Sequence, residues 1–313
     1  MKIQEQIPLA PYTWFRTGGP ARYFCEPGTE SEVQQALEFA SDRSIPVFML
    51  GEGANILVSD DGFPGLVIRQ RNTGAEILAR EGEKTLVRAG SGVVISDLIE
   101  YCLDGQVTGL EVFSGIPGTV GGAVYINLHY FDALLSEFFQ RGRVITADGT
   151  EILDVDPHWF QFGYDTSTLH SGEHYLLEAI FQLHSADAEE TAFARGRREE
   201  IIRHRDRRYP ESHTCGSFFR NFHPEEVTLK IDGEDIIYVA YYLDQLGVKG
   251  RLQQGGAGVS KKHANMIVNS GEGSSADIIA VARQMQELVR EEFGILPKPE
   301  CQLIGFDEYP LYT

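Results

Sequence analysis

The segment Ser114–Ala123 constrains the fold of this chain more than any other. It reads Ser-Gly-Ile-Pro-Gly-Thr-Val-Gly-Gly-Ala, with four glycines and a proline in ten positions. Core packing does not call for so many residues without side chains, whereas a backbone lying flat against a planar or phosphate-bearing ligand does. Because the spacing is not G-x-G-x-x-G, the segment does not support a Rossmann dinucleotide site. A rigid double turn is the alternative that it leaves open.

A second glycine loop, Gly51-Glu52-Gly53-Ala54-Asn55, lies between two short apolar runs. Two glycines in such a loop allow backbone N–H groups to converge on an anion such as a phosphate. An ordinary connection between strands would use the same residues. The loop therefore indicates an anion site only in combination with other features.

Composition narrows the functional class. The 313 residues predict two or three domains, and an apolar fraction of 42% is sufficient for packed cores. A net charge of −19 opposes general binding to nucleic acid or to anionic lipid.

The four cysteines have no paired spacing, which predicts reduced thiols. His170 and His174 lack further metal ligands nearby, so no metal site is expected. No apolar run approaches the ~20 residues of a membrane helix and no signal core is present, so we expect a cytoplasmic protein.

The hydrophobic periodicity predicts an α+β fold. Apolar residues at helical spacing predict one helix after Thr29, a second through Ile95–Cys102 and a third from Ser274 to Gly294. Strands are predicted at 47–50, 55–58, 66–68, 85–89, 143–146, 175–183 and 265–269.

Residues 185–210 form a highly charged segment with seven arginines between Arg195 and Arg208. A nucleic-acid patch is one interpretation. A solvated helix with i,i+4 pairs such as Glu199–Arg203 is the interpretation that the acidic chain favours.

Two further segments contain candidate catalytic side chains. Ser217 lies in Gly216-Ser217-Phe218-Phe219-Arg220-Asn221, without the G-x-S-x-G pattern or a nearby base of a hydrolase, so alone it indicates a turn serine. Glu300 follows the final helix in a proline-stiffened segment that can project into a cleft, although most exposed glutamates are only solvated.

The order and spacing of these motifs, taken together, resemble the UDP-N-acetylenolpyruvoylglucosamine reductase family over nearly the whole chain. The subtype that it resembles is the shorter one, in which Gly294-Ile295 runs straight on to the glutamate. The segments that match the family are Thr17–Ala21, Leu50–Asp60, Gly109–Glu111, Ser114–Ala123, Gly216–Asn221, Gly255–Ala264 and Phe293–Gly305.

The resemblance implies three regions. Residues 1–70, to which 296–313 return, and residues 71–200 would form the two lobes of an FAD-binding region of the vanillyl-alcohol-oxidase type. Residues 201–295 would form an α+β domain that binds the UDP-sugar substrate. No nucleic-acid, membrane or obligate protein partner is implied.

The resemblance also implies a reaction, in which electrons pass from NADPH through FAD to UDP-N-acetylglucosamine enolpyruvate, giving UDP-N-acetylmuramate for peptidoglycan synthesis. By that resemblance Ser217 protonates C2 of the enolpyruvyl group and Glu300 positions and stabilises its carboxylate. The implied FAD contacts are Gly51, Gly53, Asn55, Gly115, Gly118, Thr119, Gly121 and Gly122. The residues expected to contact the substrate are Tyr164, Arg220, Asn221, Lys249 and Lys262.

The chain departs from the family at several positions. The family has Tyr-Arg-x-Ser, whose arginine stabilises negative charge, where this chain has Tyr164-Asp165-Thr166-Ser167. The family pattern Asn-Ala-Gly-Ala-Tyr-Gly is replaced by residues 127–132, Asn-Leu-His-Tyr-Phe-Asp. Ala54 and Gln302 replace a usual serine and a frequent arginine.

Three explanations are open for the missing arginine: Arg141, Arg143 or Arg220 supplies the charge, catalysis is slower, or the substrate differs. A flavin-binding scaffold or sensor without turnover, and a flavin oxidase of another substrate, are the alternative functions.

Overall fold

The computed structural model describes residues 1–210 and 213–313. Its α-helices are α1 Glu30–Asp42, α2 Ile95–Asp104, α3 Val120–Tyr125, α4 Ala188–Arg208, α5 Val239–Gln245 and α6 Ser275–Phe293. Its strands are β1 Gln4–Pro8, β2 Pro20–Cys25, β3 Val47–Leu50, β4 Ile56–Val58, β5 Phe63–Arg69, β6 Ala75–Glu81, β7 Lys84–Gly90, β8 Val107–Thr108, β9 His129–Tyr130, β10 Ala133–Leu134, β11 Phe139–Thr146, β12 Ile152–Val155, β13 His174–Ser185, β14 Lys230–Ile231, β15 Glu234–Asp235, β16 Gln253–Gln254, β17 Ala257–Val259, β18 Ile267–Asn269 and β19 Gln302–Ile304.

The chain divides into two compact units, each built from separate stretches of sequence. The first comprises Met1–Gln6, Arg22–Glu52 and Pro64–Arg205. The second comprises Ile7–Ala21, Gly53–Phe63 and Asp206–Thr313.

The larger sheet of the first unit has strand order β12-β11-β13-β7-β6, with β8 also paired to β13, and its strand pairs are antiparallel. Its core is apolar: Leu98 and Ile99 of α2 and Val120 of α3 are almost completely buried with Phe181 of β13. The helix and strands predicted between residues 85 and 183 are therefore confirmed.

A second core of the first unit lies around α1. Val33, Ala36, Leu37 and Ala40 are buried on one face of this helix, as the i, i+3, i+4, i+7 spacing predicts. The predicted cap is present, since Thr29 Oγ1 accepts a hydrogen bond from the Glu32 backbone N–H at 3.3 Å. Strands β3 and β5 pair in parallel within the order β1-β2-β5-β3.

The second unit combines a three-stranded antiparallel sheet, β16-β17-β18, with α5 and α6. Ile278, Val281 and Met285 of α6 are fully buried in its core. The predicted limits of this helix are confirmed, since Ser274 caps its start and Gly294, at φ +70°, ends it in the left-handed conformation.

Strand β19 pairs in parallel with β4, so the chain end returns to residues near position 57. Both strands lie in the second unit. The described residues form three separate apolar cores, two in the first unit and one in the second. The division at 1–70, 71–200 and 201–295 stays a prediction.

The charged segment contains helix α4, and several of its arginines have acidic partners. Glu199 and Arg203 form the predicted i,i+4 pair at 3.5 Å, and Arg197 lies 3.8 Å from Glu111. Arg195 pairs with two carboxylates of α2. These contacts agree with the interpretation as a solvated helix.

The four cysteines are buried free thiols, as predicted. In the part of the chain that the structure describes, no group of side chains could hold a metal ion. Within the same residues, none of the helices combines the length and the apolar character needed to span a bilayer.

Candidate active site

The glycine-rich segment of the first unit is a loop fixed by backbone hydrogen bonds to residues 91–95. Val120 N–H donates to Val93 at 2.8 Å, and Gly121 N–H donates to Ser91 at 2.8 Å. The side chain of Thr119 accepts from Gly122 N–H at 3.3 Å and caps α3. The loop therefore has one defined backbone path.

Several glycines of this loop are required by its geometry. Gly118 has φ +148°, a conformation that side chains disfavour, and a Cβ there would meet no described atom within 4 Å. A Cβ at Gly51 would lie 2.7 Å from Thr119 Oγ1, so the two glycine loops meet at this point of the first unit. Gly115, at φ +76°, has the side chain of Arg205 against it. A bare backbone beside open space suits a ligand that lies flat on it, and this fits FAD.

Gly53 and Asn55 lie in the second unit. A Cβ at Gly53 would lie 2.2 Å from the carbonyl oxygen of Tyr12, so internal packing alone requires this glycine. Asn55 donates to the Glu300 carbonyl at 3.5 Å. Its buried Oδ1 accepts no hydrogen bond from the described residues. Because buried acceptors are normally satisfied, Asn55 fits a donor from a ligand.

The second unit also brings the segments of Ser217 and Glu300 together. Phe219 and Pro299 form an antiparallel bridge, and Glu300 N–H donates to the Phe218 carbonyl at 2.9 Å. Ser217 and Glu300 are both partly buried. The Ser217 hydroxyl makes no hydrogen bond within the described part of the chain. Two residues far apart in sequence thus lie in segments that pair side by side.

The thiols beside these residues are part of the core. Burial raises the pKa of Cys301 well above its ordinary value, and a hydrogen bond with Cys215 adds to the effect. Thiols that remain protonated are poor nucleophiles. This leaves Ser217 and Glu300 as the candidate reactive groups of the segment.

The sequence did not indicate the part played by Asn265. This residue is 2% exposed, and its side chain forms two hydrogen bonds with the backbone of Phe219. Its own N–H donates to His263 Nδ1 at 3.3 Å. Burial, with the neighbouring Arg208 cation, lowers the pKa of His263 to about 4, so the imidazole is neutral near pH 7 and can accept.

The cations predicted to contact the substrate already have partners in the structure. Arg220 forms a bidentate pair with Glu226, both N–O distances being 2.8 Å. Lys249 Nζ lies 2.9 Å from Asp244, and Lys262 Nζ donates to the carbonyl of Asp206 at 2.7 Å. Asn221 accepts from Arg220 through its carbonyl at 2.7 Å. Their contact with the substrate stays a prediction.

Asp165, at the position of the family arginine, lies in the first unit beside His129. Its Oδ1 is 3.4 Å from His129 Nδ1, and the ring of Tyr164 lies 4.6 Å from the imidazole. The side chain of Asn127 joins the segment around residue 163 to that around residue 136. Its Nδ2 donates to Gly163 O at 3.0 Å, and its Oδ1 accepts from Ser136 N–H at 3.0 Å.

Two arginines considered as replacements are engaged elsewhere. Arg143 pairs with Glu30 at 2.7 Å and with Asp154 at 3.2 Å, and Arg220 is held by Glu226. Arg141 is exposed on β11. Asp165 therefore lies beside a histidine, and the family arginine has no counterpart at this position.

Comparison with known proteins identifies the class of the chain. The family model of the FAD binding domain matches residues 21–153, and that of the UDP-N-acetylenolpyruvoylglucosamine reductase C-terminal domain matches residues 208–304. The first match includes Gly51 and the glycine loop of the first unit, and the second includes Ser217 and Glu300. The chain is thus an oxidoreductase of the FAD-containing class.

Full-length relatives give the family. UDP-N-acetylenolpyruvoylglucosamine reductase of Synechococcus sp. (strain WH7803) is 34% identical, over 97% of this chain and 94% of the relative. The enzyme of the same name from Solibacter usitatus is 33% identical over 97% of both chains. The crystal structure of UDP-N-acetylenolpyruvylglucosamine reductase from Thermus caldophilus superposes with a TM-score of 0.76 at 27% identity, over 97% of this chain and 99% of that one. This chain belongs to the UDP-N-acetylenolpyruvoylglucosamine reductase family, and the family and fold class predicted from sequence are confirmed.

Proposed function

We propose that the chain catalyses the NADPH-dependent, FAD-mediated reduction of UDP-N-acetylglucosamine enolpyruvate to UDP-N-acetylmuramate, a step of peptidoglycan precursor synthesis. One observation carries the proposal. In a chain of this family, backbone hydrogen bonds join residues 218–219 to residues 299–301, so the segments of Ser217 and Glu300 lie side by side. A cytoplasmic location stays a prediction.

FAD, when bound, transfers hydride equivalents from NADPH to the carbon–carbon double bond of the enolpyruvyl group. We assign contacts with it to Gly51 and to the loop with Gly118, Thr119, Gly121 and Gly122, whose backbone a flat ligand can approach. Gly115, Gly53 and Asn55 remain predicted contacts.

Ser217 supplies the proton in this proposal. One hydride adds at C3 and one proton at C2, while NADPH becomes NADP⁺. The serine hydroxyl gives its proton to the strongly basic C2 centre and then regains one from solvent. A hydroxyl without a hydrogen-bond partner among the described residues is available for this role.

Glu300 positions the enolpyruvyl group in this proposal. Phe218 directly follows Ser217 in the chain, and its backbone carbonyl accepts a hydrogen bond from the Glu300 N–H. This hydrogen bond keeps the two segments side by side, and a reaction with a defined near-attack geometry requires such positioning.

The test is an assay of the purified full-length protein. We expect a flavin absorbance spectrum, and NADPH consumption that requires UDP-N-acetylglucosamine enolpyruvate and yields UDP-N-acetylmuramate by mass spectrometry. Asp165 favours one competing function, that of a flavin-binding scaffold without turnover. A carboxylate hinders the stabilisation of negative charge at a position where the family has a cation. Bound flavin without substrate-dependent turnover would establish that scaffold function. Hydrogen peroxide formed without this substrate would indicate an oxidase.

A further inference from the structure

The residues before Ser217 are held in place, since Cys215 is buried and the N–H of Gly216 donates to Thr214 Oγ1 at 3.3 Å. Gly216 precedes Ser217 at φ +82°, and a Cβ at Gly216 would meet no described atom within 4 Å. A glycine in open space does not restrict the backbone of its neighbour. The residues that follow Ser217 therefore add restraints on its backbone that the glycine does not supply.

Those residues are held on two sides. On one side, Phe218 O accepts from Glu300 N–H at 2.9 Å, and Arg220 N–H donates to Lys298 O at 3.0 Å. On the other side is Asn265, whose backbone carbonyl accepts from Phe218 N–H at 2.8 Å.

The side chain of Asn265 completes this second side. Its Oδ1 accepts from Phe219 N–H at 3.1 Å, and its Nδ2 donates to Phe219 O at 2.7 Å. A carboxamide has a donor and an acceptor in one plane, which a carboxylate or a hydroxyl of the same reach does not provide. The residue is 2% exposed, so water does not compete for these bonds.

We infer that Asn265 is a positioning residue for the reduction: its carboxamide fixes the Phe218–Phe219 backbone and thereby the orientation of the Ser217 hydroxyl relative to Glu300. This inference rests on the proposed function. Turnover would then depend on Asn265 as well as on Ser217 and Glu300, although Asn265 does not contact the reacting atoms.

A matched asparagine in the same unit separates positioning from general stability. Asn269 is 4% exposed and also makes side-chain hydrogen bonds to backbone: Nδ2 donates to Phe15 O at 2.8 Å, and Oδ1 accepts from the N–H groups of Gly271 and Gly273 at 2.9 Å. None of these partners lies in the segment of Ser217. Asn269→Ala therefore removes comparable bonds without releasing that segment.

The experiment compares Asn265→Ala with Asn269→Ala in the full-length, FAD-loaded protein. We expect Asn265→Ala to lower kcat for substrate reduction about 100-fold, the effect of a small misplacement of a reacting group. Reduction of the flavin by NADPH, measured without substrate, should keep its wild-type rate. Asn269→Ala should lower Tm at least as much while kcat stays within about twofold, since its bonds do not restrain Ser217.

Hydrogen exchange gives a readout independent of turnover. We expect the amides of Phe218 and Phe219 to exchange faster in Asn265→Ala and to stay protected in Asn269→Ala. Asn265→Ser, which keeps one polar group, should give an intermediate kcat and serves if the alanine variant does not fold. Equal losses of kcat in the two alanine variants, or unchanged kcat in Asn265→Ala, would overturn the inference. A wild-type protein without turnover would instead overturn the proposed function.

Discussion

The segment of Ser217 and the segment of Asp165 are both firmly anchored, yet they differ in how far they keep the family chemistry. The first is paired with residues 298–301 and held by Asn265, and its serine and its glutamate partner match the family. The second is held by Asn127 and by the hydrogen bond of Ser167 Oγ to Tyr125 O at 2.7 Å, but its charge is reversed.

The comparison shows that the residues that hold a segment in place can differ from the residue that decides its charge. Asn127 and Ser167, which hold the second segment in place, are residues of the family pattern, whereas Asp165 between them is not. Asp165 adopts φ +53°, a left-handed conformation that aspartate tolerates better than most residues. In this chain, the hydrogen bonds of Asn127 and Ser167 support the backbone on both sides of Asp165.

Removing the proton donor should have the largest effect. Ser217→Ala should lower kcat for substrate reduction by about 10²–10⁴, the usual range for general acid catalysis, while NADPH still reduces the flavin. Steady-state and half-reaction kinetics measure this. Ser270→Ala, at an exposed serine of the same unit, should be within about twofold of wild type. Loss of flavin reduction in Ser217→Ala would contradict the role given to this serine.

Restoring the family charge tests the other segment. Asp165→Arg should raise kcat by up to about 10²-fold, because a cation in a low-dielectric site stabilises developing negative charge. Asp165→Asn, which removes the carboxylate without adding a cation, should give a smaller gain in the same assay. A fall in kcat for both variants would mean that the pair of Asp165 with His129 itself supports turnover.

A smaller effect is expected at the glycine loop. Gly118→Ala adds a Cβ on the open side of the loop at a strained φ, and we expect FAD affinity to fall roughly 10-fold, consistent with ~1–3 kcal/mol of strain and blocked approach. Visible absorbance after gel filtration measures the bound flavin. Gly82→Ala, also at positive φ with open space around it, is the control and should keep its flavin. Equal retention in both variants would remove Gly118 from the site.

The last prediction concerns stability and its dependence on pH. Hydrogen bonding from Arg220, then from His223 N–H and Lys298, lowers the pKa of Glu226. A lowered carboxyl pKa contributes stability that is complete above the ordinary value of ~4.3 and is lost as pH falls below it. Glu226→Gln should therefore be less stable than wild type by about 1.5–3 kcal/mol at pH 7. Urea unfolding should show the gap narrowing as pH falls below ~4.3, and a constant gap would exclude this origin.

Much of the fold was accessible from local sequence patterns. The caps at Thr29 and Ser274 and the stop at Gly294 were predicted because each acts through neighbours a few residues away. Ser217, Glu300 and the glycine loops were found because their residue types are unusual or match a family in order.

The residues that contact the candidate site residues could not be predicted from local sequence patterns. Asn265 forms hydrogen bonds with the backbone of Phe219, and Glu226 forms an ion pair with Arg220. Hydrophobic periodicity does not predict either contact. The prediction of Arg220 as a substrate contact took no account of this carboxylate. Asn127 carried a signal, since it is the one residue of its segment that keeps the family pattern, but a single asparagine does not reveal which loops it joins.

The pairing of β19 with β4 has a consequence for the order of folding. Every residue of the first unit has left the ribosome once Arg205 is outside, but the second unit also needs Gln302–Ile304, which are synthesised later. Contacts that span most of the chain form slowly because their loop-closure entropy must be overcome first. During synthesis, residues 53–63 therefore lack their β19 partner until Gln302–Ile304 are made, and deletion of those three residues should damage the second unit more than the first.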